Sequence, residues 1–167
     1  MKSEVKMSGN RLQLTRVFGA PRAMVFAYWT QPQKLQQWSG CKDATKVEIQ
    51  ADVRPGGSFT QKMEIGGAGE YTFTGRYEEI IVPERIVYTA NMGPATIRVR
   101  IEFFDEGKGT RVVVTQEGFP DPKLGQIVSQ GMSESFEKLD VLLAMRSKLC
   151  SLDGTKGQSH EELESMR

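Results

Sequence analysis

The order of hydrophobic periods along the chain predicts an α+β fold, a curved antiparallel sheet of six to seven strands around one long C-terminal helix. Three observations carry this. Apolar residues recur with period two from Ala44 to Gln116, with period about 3.6 after Phe119, and short turns rather than crossover helices join the period-two segments. A strand, a helix, several strands and a long helix contain no βαβ unit, which excludes a parallel sheet.

Taken in order, Arg11 to Phe18 alternates about Leu12 and Leu14 and reads as the first strand. Gly19-Ala20-Pro21 breaks it, and Pro21 suits the first turn of a helix, where its missing N–H would have no partner. Val25 and Trp29, with Phe26 beside them, put an apolar stripe on that helix, which ends near Gln31-Pro32. A short helical turn through Leu35 carries Trp38 and stops at Ser39-Gly40. Thr45, Val47, Ile49 and Ala51 then share one strand face, and Lys46, Glu48 and Gln50 the other. Arg54-Pro55-Gly56-Gly57 turns the chain into Phe59, Gln61, Met63 and Ile65. Gly66-Gly67 returns it through Tyr71, Phe73, Gly75 and Tyr77 as a hairpin. Pro83 precedes Ile86-Val87-Tyr88, Gly93-Pro94 precedes Ile97, Val99, Ile101 and Phe103, and Gly107-Lys108-Gly109 leads to Val112, Val114 and Gln116.

Asp121-Pro122 has the form of a helix cap and first-turn proline. Val128, Met132, Phe136, Leu139 and Leu143 make the buried stripe that follows, widened by Leu142, Met145 and Leu149. Glu134 and Lys138 are spaced to pair on its outer face, worth about 0.2–0.5 kcal/mol.

A chain of 167 residues has room for one domain. The expected division is an N-terminal lead over 1–10, the folded domain over 11–150 and a polar, flexible tail over 151–167. Within the tail, Ser159 and Glu162 have the spacing of a capping box, so a short final helix is the other reading. The 22 basic and 21 acidic residues leave a net charge of +1 without a long run of either sign. That argues against a nucleic-acid partner. The N-terminus lacks the apolar stretch of a signal peptide or membrane anchor, so a cytoplasmic protein without membrane insertion is expected.

Cys41 and Cys150 lie far apart without CxxC spacing, so neither a disulfide framework nor a zinc site is indicated. Cys41 reads as a small, partly buried filler. The single histidine, His160, falls in the tail, which leaves no histidine for a nucleophile triad or histidine acid–base chemistry in the folded region. No catalytic residue, metal or cofactor is therefore expected.

A sheet gripping a long helix leaves a gap between them unless large side chains fill it. The residues facing that space are Phe59, Gln61, Met63, Tyr71, Phe73, Tyr77 and Tyr88 from the sheet, Phe26, Trp29 and Trp38 from the opening helices, and Met132 and Phe136 from the long helix. Any one of these is more often simple core. As a set they form candidate walls for a ligand, because Gly75 and Gly131 remove side chains inside regular elements and Gln61 and Gln116 place amides on apolar faces. A buried amide costs about 1–3 kcal/mol unless a ligand, water or protein group bonds it.

The residues Ala20-Pro21, Val25, Trp29, Pro32, Leu35 and Trp38, then Arg54-Pro55-Gly56-Gly57, Gly75-x-Tyr77-x-Glu79-Ile80-x-x-Pro83, Gly109-Thr110-x-Val112 and Gly131-Met132 together carry a resemblance. In order and spacing they resemble the family of activator of heat-shock protein 90 ATPase homologues, in its C-terminal-domain-like form, within the START/Bet v-like SRPBCC superfamily. The resemblance covers about residues 11 to 145. It implies a helix-grip fold whose sheet and C-terminal helix enclose a hydrophobic cavity. Two departures stand out: Met132 follows Gly131 where family members usually have tryptophan, and with only about ten residues ahead of the first strand the separate N-terminal domain of the full co-chaperones is not expected, which weakens the expectation of a chaperone-activating role.

Three functions follow as expectations. The first is non-catalytic binding of an apolar or aromatic small molecule or lipid in that cavity, oriented by Gln61 and Gln116. The second, implied by the resemblance, is regulation of a heat-shock protein 90-type chaperone in the stress response. The third is an aromatase/cyclase-like or hydrolase-like enzyme using Glu70 or Glu79 with Tyr71, Tyr77 and Tyr88. Glu78 and Glu79 make no carboxylate dyad, since neighbours on a strand point to opposite faces, and Glu79 is expected to bond a turn or an arginine. Gly66-Gly67-Ala68-Gly69 leads to a strand, not a helix, and is a hairpin turn rather than a phosphate loop. A monomer and a homodimer are both compatible with the sequence.

Overall fold

The computed structural model describes residues 3–156 in backbone and residues 3–146 in side chains. His160, the Ser159–Glu162 pair and the burial expected of Leu149 lie outside the described residues. The elements are β1 (Glu4–Ser8), β2 (Arg11–Phe18), α1 (Arg22–Thr30), α2 (Pro32–Trp38), β3 (Ala44–Ala51), β4 (Ser58–Ile65), β5 (Gly69–Ile81), β6 (Arg85–Met92), β7 (Ala95–Glu106), β8 (Gly109–Glu117) and α3 (Pro122–Lys156). The strands form one antiparallel sheet in the order β1-β2-β8-β7-β6-β5-β4-β3.

The sheet has eight strands, not six to seven. The additional one is β1, inside the segment expected to be a lead, where it pairs with β2 from Glu4↔Thr15 to Ser8↔Arg11. Its alternation is short and its charged Glu4 and Lys6 face solvent, as suits an edge strand that must not recruit another chain. α3 runs to Lys156, six residues past the expected end of the domain.

Pro21 is the N-cap of α1 rather than its first helical residue. The cap of α3 is as expected: the Leu124 N–H donates to Asp121 Oδ1 at 3.0 Å, and Pro122 opens the helix. Phe136, Leu139 and Leu143 are buried from α3 and Val128 and Met132 half-buried, whereas Met145 is 58% exposed and leaves the stripe.

The inner face of the sheet follows from its registers, since directly paired residues project to the same side. One row runs Tyr77–Tyr88–Val99–Gln116–Leu12 across β5, β6, β7, β8 and β2. A second runs Phe59–Gly75–Ala90–Ile97 across β4 to β7. The turn at Arg54-Pro55-Gly56-Gly57 extends the ladder: the Gly56 N–H donates to Tyr77 O and the Tyr77 N–H to Gly57 O, both at 2.8 Å. A Cβ on Gly57 would lie 1.9 Å from the Asp52 carbonyl oxygen, so only glycine closes this turn.

Among the described residues no helix is long and apolar enough to cross a membrane.

Candidate functional site

The expected walls divide into two aromatic groups and several outliers. The first group joins α1, α2 and α3. Trp29 lies 4.6 Å from Trp38 and 5.7 Å from Phe136, and Phe26 lies 5.0 Å from Phe103, centroid to centroid. Trp38 is anchored by its indole N–H, which donates to Tyr28 O at 3.0 Å. Two members were missed in the sequence: Phe18, 5.4 Å from Phe136, and Phe103, 5.3 Å from Trp29. Both sit at the inner parity of their strands, a signal that alternation alone supplies. This group packs edge to face, so these expected walls of a cavity contact one another.

The second group is Phe59, Tyr77 and Tyr88 on β4, β5 and β6, with centroids 5.2 to 6.1 Å apart. Gly75 makes it fit. A Cβ there would lie 2.3 Å from the Phe59 ring and 2.4 Å from Thr89 O, so the missing side chain leaves no void but a berth for Phe59. Gly131 likewise faces Cys41 at ordinary contact distance. Burial pushes the Tyr77 phenol up to about 12. It pushes Tyr88 up as well, with the charge of a Tyr77 phenolate adding to the effect. Both remain protonated at neutral pH and can donate a hydrogen bond without losing a proton.

The two amides do not converge. Gln61 is half-buried beside Phe73 in the Ile49–Gln61–Phe73 row, while Gln116 stands four strand spacings away. Gln116 is 1% exposed; its Nε2 lies 3.8 Å from Met132 Sδ and its Oε1 has no partner. Turning the amide over only exchanges an unpaired acceptor for unpaired donors. Tyr71 is exposed near the β4–β5 hairpin, where its hydroxyl donates to Ala68 O. Met63 is buried beneath Gly40 and Val47, at the loop between α2 and β3.

That loop is tied to α3. Ser135 Oγ donates to Gly40 O at 2.7 Å, Lys138 Nζ donates to Gly40 O and Cys41 O at 3.0 and 3.1 Å, and the Lys42 N–H donates to Glu134 Oε1 at 3.3 Å. The expected Glu134–Lys138 pair is absent among the described residues, because the docked loop engages both side chains. Cys41 is a free, partly buried thiol. Beside the loop, α2, β3 and Lys138 bound a polar groove of about 260 Å³ that the sequence did not signal.

Of the acidic candidates, Glu79 accepts from Arg85, Glu78 accepts from Thr89 and Arg98 on the outer face, and Glu70 is exposed. No three His, Cys, Asp or Glu side chains among the described residues are grouped to hold a metal.

The family model described as Activator of Hsp90 ATPase homolog 1-like protein matches residues 19–144. No curated protein matches the sequence. Among solved structures, a Chromobacterium violaceum protein is 26% identical with a TM-score of 0.71, covering 80% of this chain and 97% of its own. An Arthrobacter aurescens protein studied by solution NMR is 16% identical with a TM-score of 0.76, covering 85% and 91%. The AHSA1 protein of Silicibacter pomeroyi is 21% identical with a TM-score of 0.70, covering 81% and 99%. The latter two likenesses establish the helix-grip fold alone.

Proposed function

Starting from a chain that belongs to the family of Activator of Hsp90 ATPase homolog 1-like proteins, we propose that it holds an apolar or aromatic small molecule, or a lipid, between sheet and α3 without transforming it. The observation that carries this reading is the buried, unpartnered carbonyl of Gln116. A buried acceptor without a donor costs about 1–3 kcal/mol, a cost that a ligand hydroxyl or N–H would offset. Tyr88 lies in the same row two strand spacings away, about 10 Å, with Val99 as an apolar floor between them. A flat ligand lying over Val99 would meet a phenol donor at one end and an amide acceptor at the other. Met132, half-buried against Gln116 and with three rotatable bonds, is the side chain that yields to admit it.

The absence of turnover is supported by the engagement of Glu79 with Arg85 and by the raised pKa of both tyrosines, which disfavours proton abstraction. We place this binder in the cytoplasm.

Native mass spectrometry of protein purified from its host, followed by titration with lipids and aromatic metabolites, tests the reading. Bound apolar mass is expected, together with a loss of affinity of about tenfold in Gln116→Leu for ligands that carry a donor. A chain that is empty and unresponsive throughout overturns it.

The close packing of Trp29, Trp38 and Phe136 favours a second reading, partner binding without a ligand. The family description makes a heat-shock protein 90-type chaperone the partner to try. Stimulated ATP turnover supports this reading, and none at saturating protein removes it.

A further inference from the structure

The polar groove beside the 40–42 loop lies outside the aromatic groups and outside the proposed inner-face site. Its lining includes Gln33, Gln36 and Gln37 of α2, Thr45 and Lys46 of β3, and Lys138 of α3, and it contains two amines and three amides but no carboxylate. Lys138 is fixed in place by its bonds to Gly40 O and Cys41 O. Those carbonyls orient the ammonium without neutralising it, and one of its three N–H groups remains for another acceptor. Gln36 Oε1 accepts from the Ile49 N–H at 3.1 Å, which settles the amide orientation and leaves its NH₂ as a donor.

The acids nearby are otherwise engaged or peripheral. Glu134, one helical turn from Lys138, accepts from Lys42 and Gln130, and Asp43 is exposed. Glu48 pairs with Lys46 at 3.4 Å, but both side chains are more than half exposed. Such a surface pair is worth about 0–1 kcal/mol and competes weakly with a ligand anion.

We propose that this groove is a binding site for a small organic anion, a carboxylate or phosphate ester whose charged group lies between Lys46 and Lys138 and whose hydroxyls meet the glutamine amides. Its volume of about 260 Å³ is just below the range typical of small-molecule pockets, enough for the charged group and hydroxyls of a compact metabolite. The ligand would also stiffen the loop that joins α2 to β3, since Lys138 contacts both.

The test is calorimetric titration of the full chain with citrate, with glycerol 3-phosphate and with glycerol as the neutral control, while amide NMR shifts are followed. Saturable binding of citrate or glycerol 3-phosphate, with shifts confined to Gln33–Gln37, the 40–42 loop, Thr45–Val47 and Lys138, is expected; which of the two binds separates carboxylate from phosphate recognition. Lys46→Glu and Gln37→Glu alter exposed side chains and leave the Lys138 anchor intact, so each should lower affinity about tenfold with the fold preserved. The proposal is overturned by no saturable binding up to millimolar anion, by equal binding of glycerol, or by affinity unchanged in both variants. None of these results bears on the inner-face site, whose residues lie elsewhere.

Discussion

Arg16 of β2 and Asp140 of α3 form a buried ion pair, in which Nε and Nη2 of the guanidinium both donate to Asp140 Oδ2. The arginine is 5% exposed, and its remaining Nη1 donates to Ser3 Oγ at 3.1 Å. One side chain thus binds the long helix and the residue preceding β1 to the second strand. Removing one member of a buried pair is costlier than replacing both, because the survivor keeps its desolvated charge.

Asp140→Ala is expected to destabilise the fold by about 2–3 kcal/mol. That is below the figure for a fully buried pair, because Asp140 retains 29% exposure and water partly screens it. The double replacement Arg16→Met with Asp140→Leu should recover most of the loss. Urea midpoints at constant m-value read both effects. A double variant no more stable than Asp140→Ala would show that the pair contributes more than charge compensation.

Gly75 and Gly131 should respond oppositely to alanine. At Gly75 the new Cβ meets the Phe59 ring and the rigid Thr89 carbonyl oxygen, so Gly75→Ala is expected to cost about 2 kcal/mol. Trimming the ring with Phe59→Ala should not restore stability, since the backbone clash persists. At Gly131 the new Cβ has ordinary van der Waals room inside α3, and Gly131→Ala should stabilise by about 0.5–1 kcal/mol through helix propensity. Thermal midpoints of the same sign for both glycines would contradict this account of the space around them.

Alkaline pH should weaken the fold through Tyr77 and Tyr88. Each phenol titrates near 10 in the unfolded chain, whereas burial holds Tyr77 up to about 12 and raises Tyr88 too. Above pH 10 the unfolded chain therefore releases protons that the folded chain retains, and stability falls as pH rises by about 1.4 kcal/mol per unit for each tyrosine. Below pH 10 neither contributes a slope. In Tyr77→Phe the fall between pH 10 and 12 should be about half as steep, as denaturant midpoints would record; equal slopes in the two proteins would refute the assignment.

How much was legible in the sequence depends on how local each signal is. Alternation on β3 to β8 and the capped 3.6-residue period of α3 are local, and they gave the elements and the inner parity of Phe59, Tyr77 and Gln116. Which of those side chains meet depends on register across five or more strands. Gln61 and Gln116 therefore looked alike in sequence but stand in separate rows. Arg16 shares the parity of Leu12, Leu14 and Phe18, so its inward course was readable, but its partner Asp140 lies 124 residues away. The spacing of Glu134 and Lys138 was a true helical neighbourhood that the 40–42 loop overrode. Phe18 and Phe103, at inner parity, completed an aromatic group that single-strand reading left open.

Gln116→Leu separates the two roles that its amide could serve. If the unpaired Oε1 is a burden carried for a ligand, its replacement by an apolar side chain of similar size removes an unsatisfied acceptor from a buried site. The ligand-free variant should then be more stable than the native chain by about 1 kcal/mol, with the amide's contact to Met132 Sδ accounting for the remainder of the penalty. The same variant should lose ligand-induced stabilisation, because mass action requires affinity for the folded state. Thermal midpoints with and without a bound aromatic or lipid ligand give both numbers. A ligand-free Gln116→Leu less stable than the native chain would mean that the amide supports the packing of α3 on the sheet, and the acceptor would cease to argue for a ligand.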